Sequence, residues 1–408
     1  MDDKKKKLGL FPRVVIAIAG GVLLGYILPE CGVRVLKTCN VLFAQLLKFI
    51  VPLLVLGLVT PAIADVGKGA GKMLLAIMGF SYLSTVLAGF WGYTMVAEFF
   101  PFYIPHGMGD SLSKVAEIQP YFTLKIPPVC DVLTALVLAF MTGIGIVFTG
   151  SESLRRTCAD FGEVVKFTIL RAIIPMLPFY ILTMVCEMAA SGKITALGGT
   201  LVKVILTGIA LTIAFLLMLY FVVGAIARKN PLRCLWNMLP AYLTGLSISS
   251  STAVIPVTLE CTRRNGVSKD VADFVVPLCA NVHLVGAMIK VVINSFAVMW
   301  LYDMKIDAAV FVNFILMVGI SAVAAPGVTG GTLMASLGLM DSILGLNPEQ
   351  TALVMTFYLA FDGYGPAANV TGDGAIAILI DRFFPTSSKT AATGNVSKGA
   401  SIQQGKMI

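Results

Sequence analysis

Five polar or ionisable side chains stand inside apolar sequence: His283, Lys290, Asp362, Asn369 and Asp373. An ionisable group at membrane depth is costly unless paired or hydrated, so such residues mark an ion or solute pathway. Their types fit binding rather than covalent chemistry. A carboxylate accepts an ammonium or a hard cation such as sodium, an amide reads a carboxylate, and an imidazole titrates near neutral pH and can carry a proton. Asp362 and Asp373 are eleven residues apart. On one continuous helix that is about three turns, which puts both carboxylates near the same face. Lys290 follows His283 by seven residues, two turns along one face. The same types also have a structural reading: aspartates paired with basic residues in a bundle, a hydrogen-bonded core histidine and a lysine snorkelling to the interface.

The elements that must position these groups are long apolar runs. A spanning helix needs about 20 apolar residues, and the N-terminal half supplies candidates at 11–29, 40–63, 73–101, 129–150, 161–190 and 197–227. Gly20, Gly21 and Gly25 in the first run suit close helix approach in lipid. After residue 230 the pattern changes. Residues 235–257 are cut by Ser247-Ile248-Ser249-Ser250-Ser251-Thr252 and then Pro256, and 271–302 is broken at Asn281 and His283. Residues 308–345 are cut by Ala325-Pro326-Gly327 and Gly330-Gly331, and 350–381 carries Asp362, Asn369 and Asp373. The C-terminal part thus reads twice as a broken hairpin followed by a polar-interrupted helix. Irregular backbone at membrane depth is tolerated where protein or a water-filled cavity surrounds it. Paired interruptions of this kind point to a transporter site between inverted repeats.

Composition agrees. Of 408 residues, 57% are hydrophobic and 13% charged, against roughly 25% charged in a soluble domain; the mean hydropathy is +0.89. The solvent for much of this chain must be lipid. The net charge of +8 does not describe a nucleic-acid surface, because the basic residues sit at the ends of apolar runs. They cluster at Lys4 to Lys7, Lys68 and Lys72, Arg155 and Arg156, Arg228, Lys229 and Arg233, Arg263, Arg264 and Lys269, and Arg382. That alternation predicts a multi-pass inner-membrane protein with both termini in the cytoplasm. The eight cysteines are scattered, without Cys-x-x-Cys, and read as reduced small hydrophobes. The basic, apolar N-terminus reads as a first spanning helix rather than a cleaved signal.

Four segments, in this order and spacing, resemble one family, the dicarboxylate/amino acid:cation symporters, which include the glutamate transporters. They are Leu46-Leu47-Lys48-Phe49-Ile50-Val51-Pro52, Ser249-Ser250-Ser251-Thr252-Ala253-Val254-Ile255-Pro256-Val257-Thr258, Ala325-Pro326-Gly327 and Asn369-Val370-Thr371-Gly372-Asp373. The resemblance implies an all-α integral membrane protein with eight transmembrane helices and two re-entrant helical hairpins in an inverted-repeat fold. Residues 1–230 would hold six helices, a trimerisation scaffold with parts of the mobile domain. Residues 231–384 would form the transport core: hairpin 1 over about 231–258, helix 7 over about 268–302, hairpin 2 over about 308–345 and helix 8 over about 350–383. Residues 385–408 would be a disordered cytoplasmic tail. The chain would work as a homotrimer whose mobile parts carry cargo past the scaffold, coupling an amino acid or dicarboxylate to a sodium or proton gradient without any cofactor.

The resemblance also implies residue roles. Asp362 would accept the substrate ammonium and Asn369 its carboxylate, with Ser249, Ser250 and Ser251 at one tip. Ala325, Pro326, Gly327 and Thr329 would serve at the other tip, and Gly365, Pro366 and Lys290 would complete the site. Asp373 and Asn369 would ligate the metal cation, in a cation-binding set with Cys279 and His283. Helix N-termini at the tips would favour the carboxylate through their dipoles.

The chain departs from the family pattern in two places. Helix 7 usually carries Asn-Met-Asp-Gly-Thr, where this chain reads His283-Leu284-Val285-Gly286-Ala287; the lost carboxylate and threonine remove part of a sodium site, and His283 brings a possible proton carrier. Acidic-amino-acid members place an arginine in the last helix, where this chain has Gly363 or Gly365, and some place one at the first tip, here Ser249. An unpaired side-chain carboxylate would be costly, so neutral cargo is the simplest expectation. Lys290 offers an alternative, either supplying that cation or pairing with Asp362 in the empty state.

Competing signals are weaker. Gly67-Lys68-Gly69-Ala70-Gly71-Lys72-Met73 is one residue short of a phosphate loop and lacks its Ser/Thr. The two histidines, one of them His106 in a loop, make no His-rich metal site. No Gly-x-Ser-x-Gly or His-Glu-x-x-His occurs, and the tip serines have no neighbouring base, so an enzyme is not expected. The rivals to a symporter are an anion channel and a sensor that binds without moving its cargo.

Overall fold

The computed structural model describes residues 10–66, 72–107, 118–130, 132–323 and 330–384, and every long element among them is helical. Lys68 and the glycine-rich turn at 67–71, the tip residues Ala325, Pro326, Gly327 and Thr329, and the tail 385–408 lie outside the described residues. The helices are α1 (Leu10–Ile27), α2 (Glu30–Val66), α3 (Lys72–Tyr103), α4 (Val132–Thr149), α5 (Glu152–Thr168), α6 (Ile174–Ala190), α7 (Lys193–Ala227), α8 (Pro231–Ile248), α9 (Ile255–Arg264), α10 (Lys269–Val282), α11 (Val285–Leu301), α12 (Ala308–Val323), α13 (Gly331–Ser342), α14 (Pro348–Ala360) and α15 (Tyr364–Phe383). The expected runs 11–29, 73–101, 129–150 and 197–227 fall on α1, α3, α4 and α7, and 40–63 lies inside the longer α2.

The run 161–190 belongs to one helical path, α5 to α6, joined by the π-helical turn Ile169–Ile173. Pro175 and Pro178 follow that turn. Each removes an N–H from the i to i−4 ladder, and a wider turn absorbs the lost bonds. Along α6 runs α1, which comes close because Gly25 has no side chain: a Cβ there would lie 2.6 Å from the Ala189 Cβ.

Two proline-started helices open the C-terminal half with the same device. Asn230 caps α8 by accepting from the Arg233 N–H at 3.0 Å, with Pro231 in the first turn. Asn347 and Gln350 form a capping box on α14, with Pro348 in the first turn. Asn-Pro works here because the amide satisfies an orphan N–H while proline needs no partner for its own nitrogen.

Burial separates the halves of the molecule. Among the described residues, three helical stretches are long and apolar enough to cross a membrane: Lys72–Tyr103, Gly198–Ala227 and Lys269–Leu301. The apolar window of the first two is 39% buried and that of the third 94%. The α10–α11 path is therefore wrapped by protein on all sides, which is where polar groups at membrane depth find partners. One core cluster joins α1, α2, α3, α6 and α11 to α14; a second gathers Tyr220, Met238, α10 and α15.

Candidate functional site: two broken helices that cap each other

The two polar-interrupted runs are each two helices with a short non-helical join. In the first, His283 and Leu284 take extended or irregular backbone between α10 and α11. In the second, residues 361–363 separate α14 from α15. Asp362 therefore sits in a break while Asp373 lies inside α15. Both carboxylates nonetheless meet the α10–α11 path, Asp362 at Lys290 and Asp373 at His283.

A helix break strands N–H groups on one side and carbonyls on the other, and here each broken helix supplies the cap for its neighbour. At the start of α11, the Gly286 and Ala287 N–H groups donate to Asn369 Oδ1 at 2.8 and 3.3 Å. At the end of α14, Lys290 Nζ donates to the carbonyls of Phe361 and Asp362 at 3.4 and 3.1 Å. The helices touch where these bonds cross. A Cβ on Gly286 would collide with the Gly365 carbonyl, and one on Gly365 would come 2.9 Å from Lys290 Cδ. Glycine is what allows the lysine stem to pass.

Lys290 also donates to Asp362 Oδ1 at 2.8 Å, with Tyr358 and Tyr364 rings 3.9 and 4.8 Å from its ammonium. The lysine is wholly buried, so it does not snorkel; of the two expectations held for it, pairing with Asp362 is the arrangement present. Asp362 Oδ2 is buried and has no hydrogen-bond partner among the described residues.

The imidazole of His283 is held at both nitrogens. Nδ1 lies 3.0 Å from Asp373 Oδ1, and Nε2 lies 3.0 Å from Ser84 Oγ. Thr85 Oγ1 accepts from the Leu284 N–H at 3.2 Å, and Ser81 Oγ lies 3.6 Å from Cys279 Sγ. A polar strip on α3, Ser81, Ser84 and Thr85, thus fixes the α10–α11 break. Sequence reading missed this strip, although three small hydroxyl residues at helical spacing in an apolar run were its visible sign. Asp373 Oδ2, like Asp362 Oδ2, is buried without a partner. Among the described residues no group of three or more His, Cys, Asp or Glu is arranged to hold a metal ion.

Between the breaks, the first tip and the start of α13 lies a narrow cavity of about 20 Å³. Of the expected substrate residues, Ser251, Asp362, Pro366 and Asn369 line it. Ser249, Ser250, Gly365 and Lys290 do not; Ser249 instead turns the chain at the end of α8 with a positive φ of 56°. The structure adds Leu284 and Ala287 from the first break, Tyr358 from α14, and Gly330, Gly331 and Thr332 at the start of α13. Because the Asn369 oxygen is engaged by backbone N–H groups, its Nδ2 donor is what remains for a ligand. The cavity thus offers hydroxyl and amide donors and the N-terminus of α13 at one side, and a carboxylate with one open oxygen at the other. Those groups are complementary to a small carboxylate that carries a second polar group.

The model of the sodium:dicarboxylate symporter family matches residues 10–383. The chain is 27% identical over 350 residues to the serine/threonine transporter SstT of Streptococcus suis (strain 05ZYH33), covering 81% of this chain and 94% of that transporter. The chain belongs to the sodium:dicarboxylate symporter family. It is a multi-pass membrane protein that couples an amino acid or dicarboxylate to a cation, and it is not an enzyme.

Proposed function

We propose that this symporter carries a small cargo with one carboxylate and no charged side chain, driven by a sodium or proton gradient. The observation that carries this reading is the cavity wall: it presents donors, a helix N-terminus and Asp362, and no cationic side chain lines it. A second carboxylate would enter without a counter-charge, which costs heavily in a desolvated site. The similarity to a serine/threonine transporter supports a small cargo with an uncharged side chain.

The coupling cation acts at Asp373, whose Oδ2 is open and whose Oδ1 faces His283. Eight spanning helices carry two re-entrant hairpins, α8–α9 and α12–α13, with Ser251 of the first and the start of α13 at the cavity wall. The chain assembles as a homotrimer with both termini in the cytoplasm, and the hairpins with α3, α7, α10–α11 and α14–α15 slide as one body against α1, α2 and α4–α6. The deep burial of α10–α11 supports treating that body as a unit.

Reconstitution into proteoliposomes tests this. Uptake of labelled serine or alanine under an inward sodium or proton gradient, abolished when that gradient is dissipated and in Asp373→Asn, is the expected result. Binding without uptake under either gradient overturns the symporter reading in favour of a sensor. Anion current that does not saturate with cargo overturns it in favour of a channel.

A further inference from the structure

Asp362 is only half available to a ligand. Its Oδ1 is bound to Lys290, and its Oδ2 has no partner among the described residues, although the residue is 1% exposed and lines the cavity. The ammonium behind it is held in place: one carboxylate oxygen and two carbonyls accept from it, two tyrosine rings flank it, and its stem is packed over Gly365. Lysine and aspartate together are neutral, so the seat at Oδ2 lacks the net charge of a free carboxylate.

The other end of the cavity favours an anion. Helix α13 has 12 residues and begins at the wall, with Gly330, Gly331 and Thr332 facing the space. Its first intrahelical bond runs from the Met334 N–H to the Gly330 carbonyl, so the N–H groups before it are free of helical partners. A cargo carboxylate belongs there.

We propose that Lys290 is the specificity-determining residue of this cavity, and that it selects a small 2-hydroxy carboxylate over the matching amino acid. The proposal rests on the carboxylate-symporter reading given above. An amino acid would place its ammonium on Oδ2, so that two positive charges shared one carboxylate in a buried, weakly screened site. A hydroxyl makes the same hydrogen bond to Oδ2 without that repulsion. Its own lone pairs can accept from the Asn369 amide or a wall hydroxyl. The single negative charge of a hydroxy acid is then balanced by the α13 terminus and the co-transported cation rather than by an ammonium of its own.

Matched acids that differ only in that group provide the test: L-lactate against L-alanine, and L-glycerate against L-serine. Binding is measured by calorimetry on the purified full-length protein, in sodium buffer and again in sodium-free buffer at acid pH. In the unaltered protein each hydroxy acid binds at least tenfold more tightly than its amino partner. Lys290→Met moves that ratio at least tenfold towards the amino acid, and Lys290→Arg preserves it. Because Lys290→Met strands a buried carboxylate, the ratio in the unaltered protein decides if that variant does not fold. Amino acids binding as tightly as hydroxy acids, or more so, overturns the role of Lys290 and leaves the symporter reading intact. Failure of all four acids to bind overturns the carboxylate cavity, and this proposal with it.

Discussion

Two buried lysine–carboxylate pairs among the described residues are built differently. Lys37 on α2 reaches both oxygens of Glu187 on α6, each at 2.7 Å. Lys290 reaches only one oxygen of Asp362 and spends its other donors on the carbonyls at the helix break. The side chains of the first pair keep 11% and 12% of their exposure, those of the second 0% and 2%. The first pair is closed, with both carboxylate oxygens answered, and does no more than tie α2 to α6. The second is more deeply buried yet leaves an acceptor unanswered. An unmet acceptor is costly in a core, so its persistence beside a cavity marks it as a place for a ligand.

The largest effect should come from the open pair. Asp362→Ala leaves Lys290 buried without a counter-charge and should cost about 3–5 kcal/mol of stability, together with at least a hundredfold loss of uptake. Thermal unfolding in detergent and proteoliposome flux measure the two losses. Lys37→Met should cost about 1.5–3 kcal/mol, but uptake per folded carrier should stay within about twofold, and adding Glu187→Leu should recover much of the stability. Uptake falling equally in both single variants would erase the distinction between the pairs.

Asn369→Ala sharpens the comparison from the other break. It strands the Gly286 and Ala287 N–H groups, for a cost of about 1–3 kcal/mol, and should weaken cargo binding about tenfold by removing a wall donor. A variant that loses stability but binds cargo normally would make Asn369 a cap alone. Gln350→Ala, which opens the capping box on α14 away from the cavity, should cost about 1 kcal/mol and leave cargo affinity unchanged in the same calorimetry.

Much of this was legible in the sequence because apolar runs and their interruptions are local. The break at His283 follows from polar residues in apolar context, and the wall positions of Ser251, Pro366 and Asn369 were implied by the family resemblance. What was not legible depends on partners far apart in the chain. Asn369 and Gly286 are 83 positions apart, and His283 and Ser84 are 199; no periodicity reports such a meeting. Treating 350–381 as one helix also put Asp362 and Asp373 on a common face. The structure turns both towards the α10–α11 path, with Asp362 in the join beside the cavity and Asp373 inside α15 at His283. Tyr358 and Tyr364 carry no signal in the sequence, and only the fold shows them flanking an ammonium.

The most direct test of the account compares two reconstituted variants at equal protein: Asp362→Asn, which keeps the shape of the open pair but removes its charge, and Lys37→Met/Glu187→Met, which removes the closed pair altogether. Gradient-driven uptake of the preferred cargo should vanish in the first and retain at least half its rate in the second. Undiminished uptake in Asp362→Asn would contradict the claim that the open carboxylate oxygen seats the cargo.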